Sequence, residues 1–134
     1  MTFIGEDLKG KCVVVTGATG GIGSAVARGF AEIGAHVLAV DLRNDLLTEL
    51  VSDLPGSSHE LFVLDLSQLD EHAKLFKHAQ EMGGFQALVH CAAVLRRRTT
   101  VDEVTEEDWD FQLDTNLKAT FFLNRTARDV FSGK

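Results

Sequence analysis

Lys11 to Ser24 reads KCVVVTGATGGIGS, with glycines at 17, 20, 21 and 23 where the chain must turn after an apolar run. Residues without a Cβ let a backbone turn tightly and come close to a phosphate. Cys12-Val13-Val14-Val15 predicts a strand before the turn, and the pattern after it predicts a helix. The free amides and positive dipole end of that helix then face whatever the turn cradles. Such a site suits a pyrophosphate and needs no lysine or arginine. Asp41 closes the next apolar run about twenty residues on, the separation at which a carboxylate grips a ribose hydroxyl. Glycines alone also serve as a turn that binds nothing; with Asp41 they point to a dinucleotide. A Walker A loop is excluded, because no Gly-Lys-Ser/Thr follows the glycines.

The flanking elements must bring this turn and Asp41 to one edge of a fold. Ser24 to Ile33 places Val26, Ala27, Phe30, Ala31 and Ile33 near one helical face, and Gly34 suits the helix end. Ala35 to Asp41 is nearly continuously apolar, the pattern of a parallel strand covered on both faces. Helical spacing returns over Leu42 to Leu54, at Leu46, Leu47 and Leu50, until Pro55-Gly56-Ser57-Ser58 breaks it. His59 to Leu64 predicts a third strand, closed by Asp65. Ser67, with Asp70 three residues later, predicts a helix N-cap, and Leu69, Ala73, Leu75, Phe76 and Ala79 carry that helix to a stop at Gly83-Gly84. Phe85 to Ala92 predicts strand four. Thr105 and the acids at 106–108 predict another capped start. A long helix from Trp109 to Phe131 follows on Phe111, Leu113, Leu117, Phe121, Phe122 and Val130, bent near Asp114-Thr115-Asn116. Strand and helix alternate four times on short connections, which predicts an α/β fold with a parallel sheet and right-handed crossovers.

At 134 residues and 45% hydrophobic, the chain has the common size of one domain and enough apolar content for a core, so residues 1–134 are expected to form a single domain. A net charge of -7 with both signs interspersed argues against nucleic acid or an anionic membrane as partner. Arg96-Arg97-Arg98 is a short basic run that reads as a solvated loop or a subunit contact. The N-terminal MTFIGEDLKG carries acids and no long apolar stretch, so neither a leader peptide nor an anchor is expected there. Cys12 and Cys91 fall in apolar strand runs, where they read as small buried hydrophobes in a reducing, cytoplasmic compartment. The histidines at 36, 59, 72, 78 and 90 have no metal-ligand spacing, and no metal site is expected.

With that pattern laid out, the sequence resembles the short-chain dehydrogenase/reductase family in the nucleotide-binding half of its Rossmann fold. Thr16-Gly17-Ala18-Thr19-Gly20-Gly21-Ile22-Gly23 is similar to the TGxxxGxG motif, Asp65-Leu66 to the acidic pair after strand three, and Asn116-Leu117-Lys118-Ala119-Thr120 to the NxxxT/G-like helix segment. The adjacent glycines at 20 and 21 also satisfy the TGxxGxxG form of the longer, epimerase-like branch, but the helix with Trp109, Asn116 and Phe121-Phe122 looks more like the single-domain reductases. Where the family has Asn-Asn-Ala-Gly, this chain has His90-Cys91-Ala92-Ala93, a departure that leaves open which side chains tie the strands there. The resemblance implies a doubly wound parallel sheet of about four strands with flanking helices.

It also implies roles. Thr16, Gly17, Thr19, Gly20, Gly21, Ile22 and Gly23 would cradle pyrophosphate, and Asp41 with Leu42 would meet the adenosine ribose. Asp65 would approach the adenine amino group with Leu66 against the ring, and Cys91, Ala92 and Ala93 would line the adenosine pocket. Asp65 also reads as an ordinary helix-capping acid. A carboxylate at 41, with no base at Gly20 or Leu42, favours NAD over NADP, although Arg43 stands nearby. A methyltransferase-like fold places a similar acid on a ribose, but its turn usually lacks the leading Thr-Gly.

The implied reaction is hydride transfer between a nicotinamide and a small alcohol or ketone, with a tyrosine as acid/base, a lysine lowering its pKa and a serine orienting substrate. The sequence contains no tyrosine. Of the usual catalytic set only Asn116 is present, implied to bend its helix and hold a water of the proton relay, with a plain helix-kink role as the alternative. Family members of this type are about twice as long. The expectation is therefore a partial chain, the first half of such an enzyme, which binds cofactor without turnover. Its long helix at 109–131 would make it a homo-oligomer; the alternative is a non-catalytic nucleotide-binding or dimerisation module.

Overall fold

The computed structural model describes residues 5–131 and 133. Met1 to Ile4, part of the segment expected to be neither leader nor anchor, lie outside the described residues, as do Ser132 and Lys134. Parallel strands β1 (Cys12–Thr16), β2 (His36–Asp41), β3 (Glu60–Val63) and β4 (Phe85–His90) form one sheet in the order β3-β2-β1-β4. Helices α1 (Gly21–Glu32), α2 (Asn44–Asp53), α3 (His72–Glu81), α4 (Glu106–Leu113) and α5 (Ala119–Phe131) connect and follow them. The expected alternation and parallel sheet are both present. Among the described residues no helix is long and apolar enough to cross a membrane.

Burial follows from the strand sequences. Every residue of β1 is inaccessible to solvent, so its β-branched run has a face to fill on each side. Cys12 and Val14 pack with Leu38 and Val40 against Leu75, Phe76, Leu123 and Ala127, under α3 and α5. Val13 and Val15 pack with Val37 and Ala39 against Ala27, Ala31 and Leu47, under α1 and α2. Helices thus cover both faces, the doubly wound arrangement. Deep in this core the Cys12 thiol is pushed up to about 12, first by burial and then by the charge of Glu60, so it stays protonated.

The chain moves outward from β1 to β2 and β3, then returns to the other side of β1 as β4. A crevice opens at such a reversal, outside the carboxyl ends of the strands. Thr16, the last residue of β1, lies between Val40 of β2 and His90 of β4.

Helix phases depart from the sequence expectations in three places. α1 begins at Gly21 rather than Ser24, because the glycine turn leads straight into helical winding. Ser67 caps no helix: its amide and hydroxyl both bond Asp65 Oδ1, at 2.9 and 2.7 Å. A 3-10 turn at Leu69–Glu71 then leads into α3, and His72 is buried where Ala73 was expected to be. In the final helical stretch Ala119, Leu123 and Ala127 face the core, whereas Trp109, Leu113, Leu117 and Phe121 are exposed. The expected bend exists as a five-residue π turn, Asp114–Lys118, between α4 and α5.

Candidate functional site

β1 ends at Thr16, and Gly17 turns the chain at φ 61°, a left-handed conformation that glycine adopts without strain. A Cβ on Gly17 would lie 2.7 Å from the backbone N and Cα of Ala92, so its absence lets the turn rest on the end of β4. A Cβ on Gly23 would collide with the Gly17 carbonyl oxygen, so that glycine lets α1 close against the turn. Gly21 opens on free space, and Ile22 is 77% exposed. The amides of Gly21, Ile22 and Gly23 meet no acceptor among the described residues. An uncapped helix start of this kind attracts negative charge.

Asp41 ends β2 and turns toward the glycines. Its Oδ2 accepts from the Thr19 amide at 3.1 Å and the Thr19 hydroxyl at 2.7 Å, and Oδ1 accepts from the Leu42 amide at 2.7 Å. Burial works against the charged form, but the bonds from Thr19 and Leu42, with Arg43 nearby, together hold the carboxyl below its usual 3.8. An ionised carboxylate has about four lone-pair positions, so an acceptor site on Oδ1 stays open.

A cavity of about 410 Å³ lies where the strands end, within the range of roughly 300–1,000 Å³ usual for small-molecule sites. Its wall joins Gly17, Thr19 and Gly20 with Val40, Asp41, Leu42 and Arg43, then Leu64, Asp65, Leu66 and Ser67. Cys91, Ala92, Ala93 and Val94 close the β4 side, and Phe111, Asp114 and Thr115 close the helical side. The wall thus gathers Gly17, Thr19, Gly20, Asp41, Leu42, Asp65, Leu66, Cys91, Ala92 and Ala93 from the sequence candidates. Thr16 is buried and off the wall, and Gly21, Ile22 and Gly23 belong to the adjoining first turn of α1. Asp65 caps no helix; it closes the turn after β3 through Ser67. Cys91 was expected to lie buried inside a strand, but β4 stops at His90 and Cys91 is only half-buried.

Asn116 is not on the wall either. Its side chain donates to the Val94 carbonyl at 2.7 Å and accepts from the Val94 amide at 2.8 Å, holding the segment after β4 as a neighbouring strand would. Both ends of its amide group are therefore engaged with Val94, a cavity residue.

Several residues act in ways the sequence did not indicate, Thr16 among them, whose hydroxyl ties strands instead of facing a pyrophosphate. Thr16 Oγ1 takes the Cys91 and Ala92 amides at 3.1 and 3.3 Å, and His90 bridges Thr16 to Thr120 at 2.8 and 2.9 Å. His90 therefore ties strand to helix where the family's asparagine was missing. Arg96 and Arg98 are not simply solvated. Arg98 grips the buried Asp108 through two 2.7 Å bonds, and Arg96 lies 3.9 Å over the ring of Phe111, on the cavity wall. The Arg98 guanidinium, with the Thr105 amide, holds the Asp108 carboxyl well below the usual carboxylate range. The available signal was the acid three residues after Thr105, ten positions from Arg98.

The wider comparisons agree with this geometry. A family pattern described as short chain dehydrogenase matches residues 11–134. A 3-oxoacyl-[acyl-carrier-protein] reductase of Thermotoga maritima is 38% identical over 119 residues, 85% of this chain and 47% of that protein. A D-threitol dehydrogenase of Mycolicibacterium smegmatis is 36% identical over 87% of this chain and 45% of its own length. A crystal structure of a short chain dehydrogenase from Mycobacterium smegmatis superposes with a TM-score of 0.85 at 34% identity, covering 95% of this chain and 55% of that one. The chain spans about half the length of the curated relatives it matches. With its strand order, its glycine turn and these relatives in agreement, the chain belongs to the short-chain dehydrogenase/reductase family.

Proposed function

We propose that residues 1–134 form one nucleotide-binding domain of a dehydrogenase or reductase, and that the cavity at the strand ends takes NAD. The observation that carries this is Asp41, held toward the glycine turn by two bonds from Thr19 while lining the cavity that the turn borders. The residues fit the group. Gly21 leaves open space beside unpaired amides, which suits a pyrophosphate, and Asp41 keeps an acceptor position for a ribose hydroxyl. Leu66 and Ala92 offer apolar surface for an adenine. A carboxylate at 41 repels a 2′-phosphate, which favours NAD over NADP; Arg43 on the same wall moderates the preference. When bound, the nicotinamide would supply hydride transfer with a small alcohol or ketone as partner.

For these residues alone the proposal is binding without turnover, since the family resemblance assigns the acid/base step to a tyrosine and the 134 residues contain none. Asn116 acts through Val94 as a positioning residue. Cys12 and Cys91, both free, fit a reducing cytoplasm. Titration calorimetry with NAD and NADP, beside an alcohol-oxidation assay, tests the proposal: tighter NAD binding and no turnover are expected. Absence of NAD binding, or turnover by this chain, would reject it.

A second reading, a dimerisation module, is favoured by one observation. Trp109, Leu113, Leu117 and Phe121 recur every four residues and are 37 to 64% exposed. A homo-oligomer through the 109–131 helical stretch would cover them, and the two readings are compatible.

A further inference from the structure

The donors around His90 leave one consistent placement of protons. The Ala92 amide donates to Thr16 Oγ1, and the Cys91 amide is shared between that oxygen at 3.1 Å and the Thr16 carbonyl at 3.2 Å. A hydroxyl oxygen with two donors aimed at it has its own hydrogen left to give, and the acceptor 2.8 Å away is His90 Nδ1. The neutral ring therefore carries its hydrogen on Nε2. That hydrogen meets Thr120 Oγ1 at 2.9 Å, whose own hydrogen goes to the Asn116 carbonyl at 2.8 Å. Every group along this line donates in the same direction, from the end of β4 through the imidazole into the π turn.

We propose that His90 is a positioning residue for the nucleotide cavity and works only as the neutral Nε2–H tautomer, so that protonation of its ring loosens the cavity and weakens nucleotide binding. The inference rests on the cavity being a nucleotide site. A proton added at Nδ1 would point a third donor at Thr16 Oγ1 and leave the threonine hydrogen without its acceptor. The disturbed bonds are those of Cys91 and Ala92, both on the cavity wall, and Gly17 rests directly on Ala92. β1 and α5 face the ring with the hydroxyls of Thr16 and Thr120. α3 contributes His72, which also disfavours a charge on the ring. Burial first, and then His72, hold the ring's pKa below 6.5. The direction agrees with the hydrogen-bond bookkeeping.

The test joins two measurements on the 134-residue chain. Nitrogen chemical shifts of the His90 ring and of the Cys91 and Ala92 amides are followed from about pH 8 to about pH 5, the range in which histidine titrates. NAD binding is measured by calorimetry over the same range. An Nε2–H tautomer at the upper end is expected, with both amides moving as the ring titrates. NAD affinity should fall below that midpoint, by up to about tenfold per pH unit, the limit that linkage to one proton sets. His90→Gln, whose Oε1 can accept from Thr16 and whose Nε2 can donate to Thr120, should bind NAD with a flat profile. Should that variant not fold, Thr120→Val should bind NAD more weakly at the upper end and release the tautomer. An Nδ1–H ring, still amides, or a wild-type profile as flat as the glutamine variant's would overturn the proposal. Absence of NAD binding at every pH would instead reject the nucleotide reading, while the ring and amide shifts would still decide His90.

Discussion

Asp41 and Gly17 carry the site in opposite ways, one by the charge it holds and the other by the side chain it lacks. Asp41→Asn keeps the size but removes the charge that the Thr19 and Leu42 donors hold in place. Hydrogen bonds to charged groups contribute about 1.5–3 kcal/mol, so NAD affinity should drop about 10- to 100-fold, as calorimetry would register. The carboxyl's pKa lies below its ordinary 3.8 in the folded chain, so its contribution to stability is present above 3.8 and fades only as pH falls below that value. Gly17→Ala forces a side chain into a left-handed φ and against Ala92 backbone. A loss of about 1–3 kcal/mol should appear as a lower denaturation midpoint; an unchanged midpoint would mean that the turn relaxes freely. Both residues were legible in the sequence because spacing alone encodes them. The His90 bridge was not, since Thr16 and Thr120 lie 74 and 30 positions away and only the fold brings them together.

The helices show which physical signals a sequence carries and which it does not. The start of α4 was readable: Thr105 accepts the Asp108 amide at 3.0 Å and Asp108 accepts the Thr105 amide at 3.1 Å, a reciprocal cap. Thr105→Ala should lower stability by about 1 kcal/mol, measured as a shift in the urea midpoint. Since that cap also holds Asp108 for Arg98, the variant should free the segment around Arg96 and Arg98 to faster amide exchange. Ser67 carried a similar signal three residues before Asp70, yet its hydroxyl bonds Asp65 instead. With its amide and its hydroxyl both donating to the short acceptor two residues back, Ser67 is turned away from the amides it would have accepted from as a cap. The strands were read within two residues at either end because a doubly covered parallel strand is a continuous apolar run, with no phase to mistake. Helix faces depend on phase, and one 3-10 turn before α3 was enough to exchange His72 for Ala73 in the core.

At the scale of the molecule, the sheet buries its centre fully and leaves one helical face apolar and exposed. Leu123 and Ala127 of α5 meet the core, so the side bearing Trp109, Leu113, Leu117 and Phe121 contributes little to folding. A spacing of four drifts around an α-helix of 3.6 residues per turn, and the π turn at Asp114–Lys118, which winds less per residue, offsets part of that drift. Exposed apolar residues recurring along one stretch are the kind of surface that association covers. A second copy of the chain can cover the stripe with its own, as a two-fold interface requires. Sedimentation at micromolar concentration should therefore give a dimer for the native sequence and a monomer for the double variant Leu117→Glu, Phe121→Glu. Both substituted positions are mostly exposed in the single chain, Phe121 keeping only an edge contact with Phe122, so the variant's stability, extrapolated to low concentration, should stay within about 1 kcal/mol of the original. A native chain that sediments as a monomer would leave the stripe without a homotypic role, and a variant that unfolds would show that the stripe supports the fold itself.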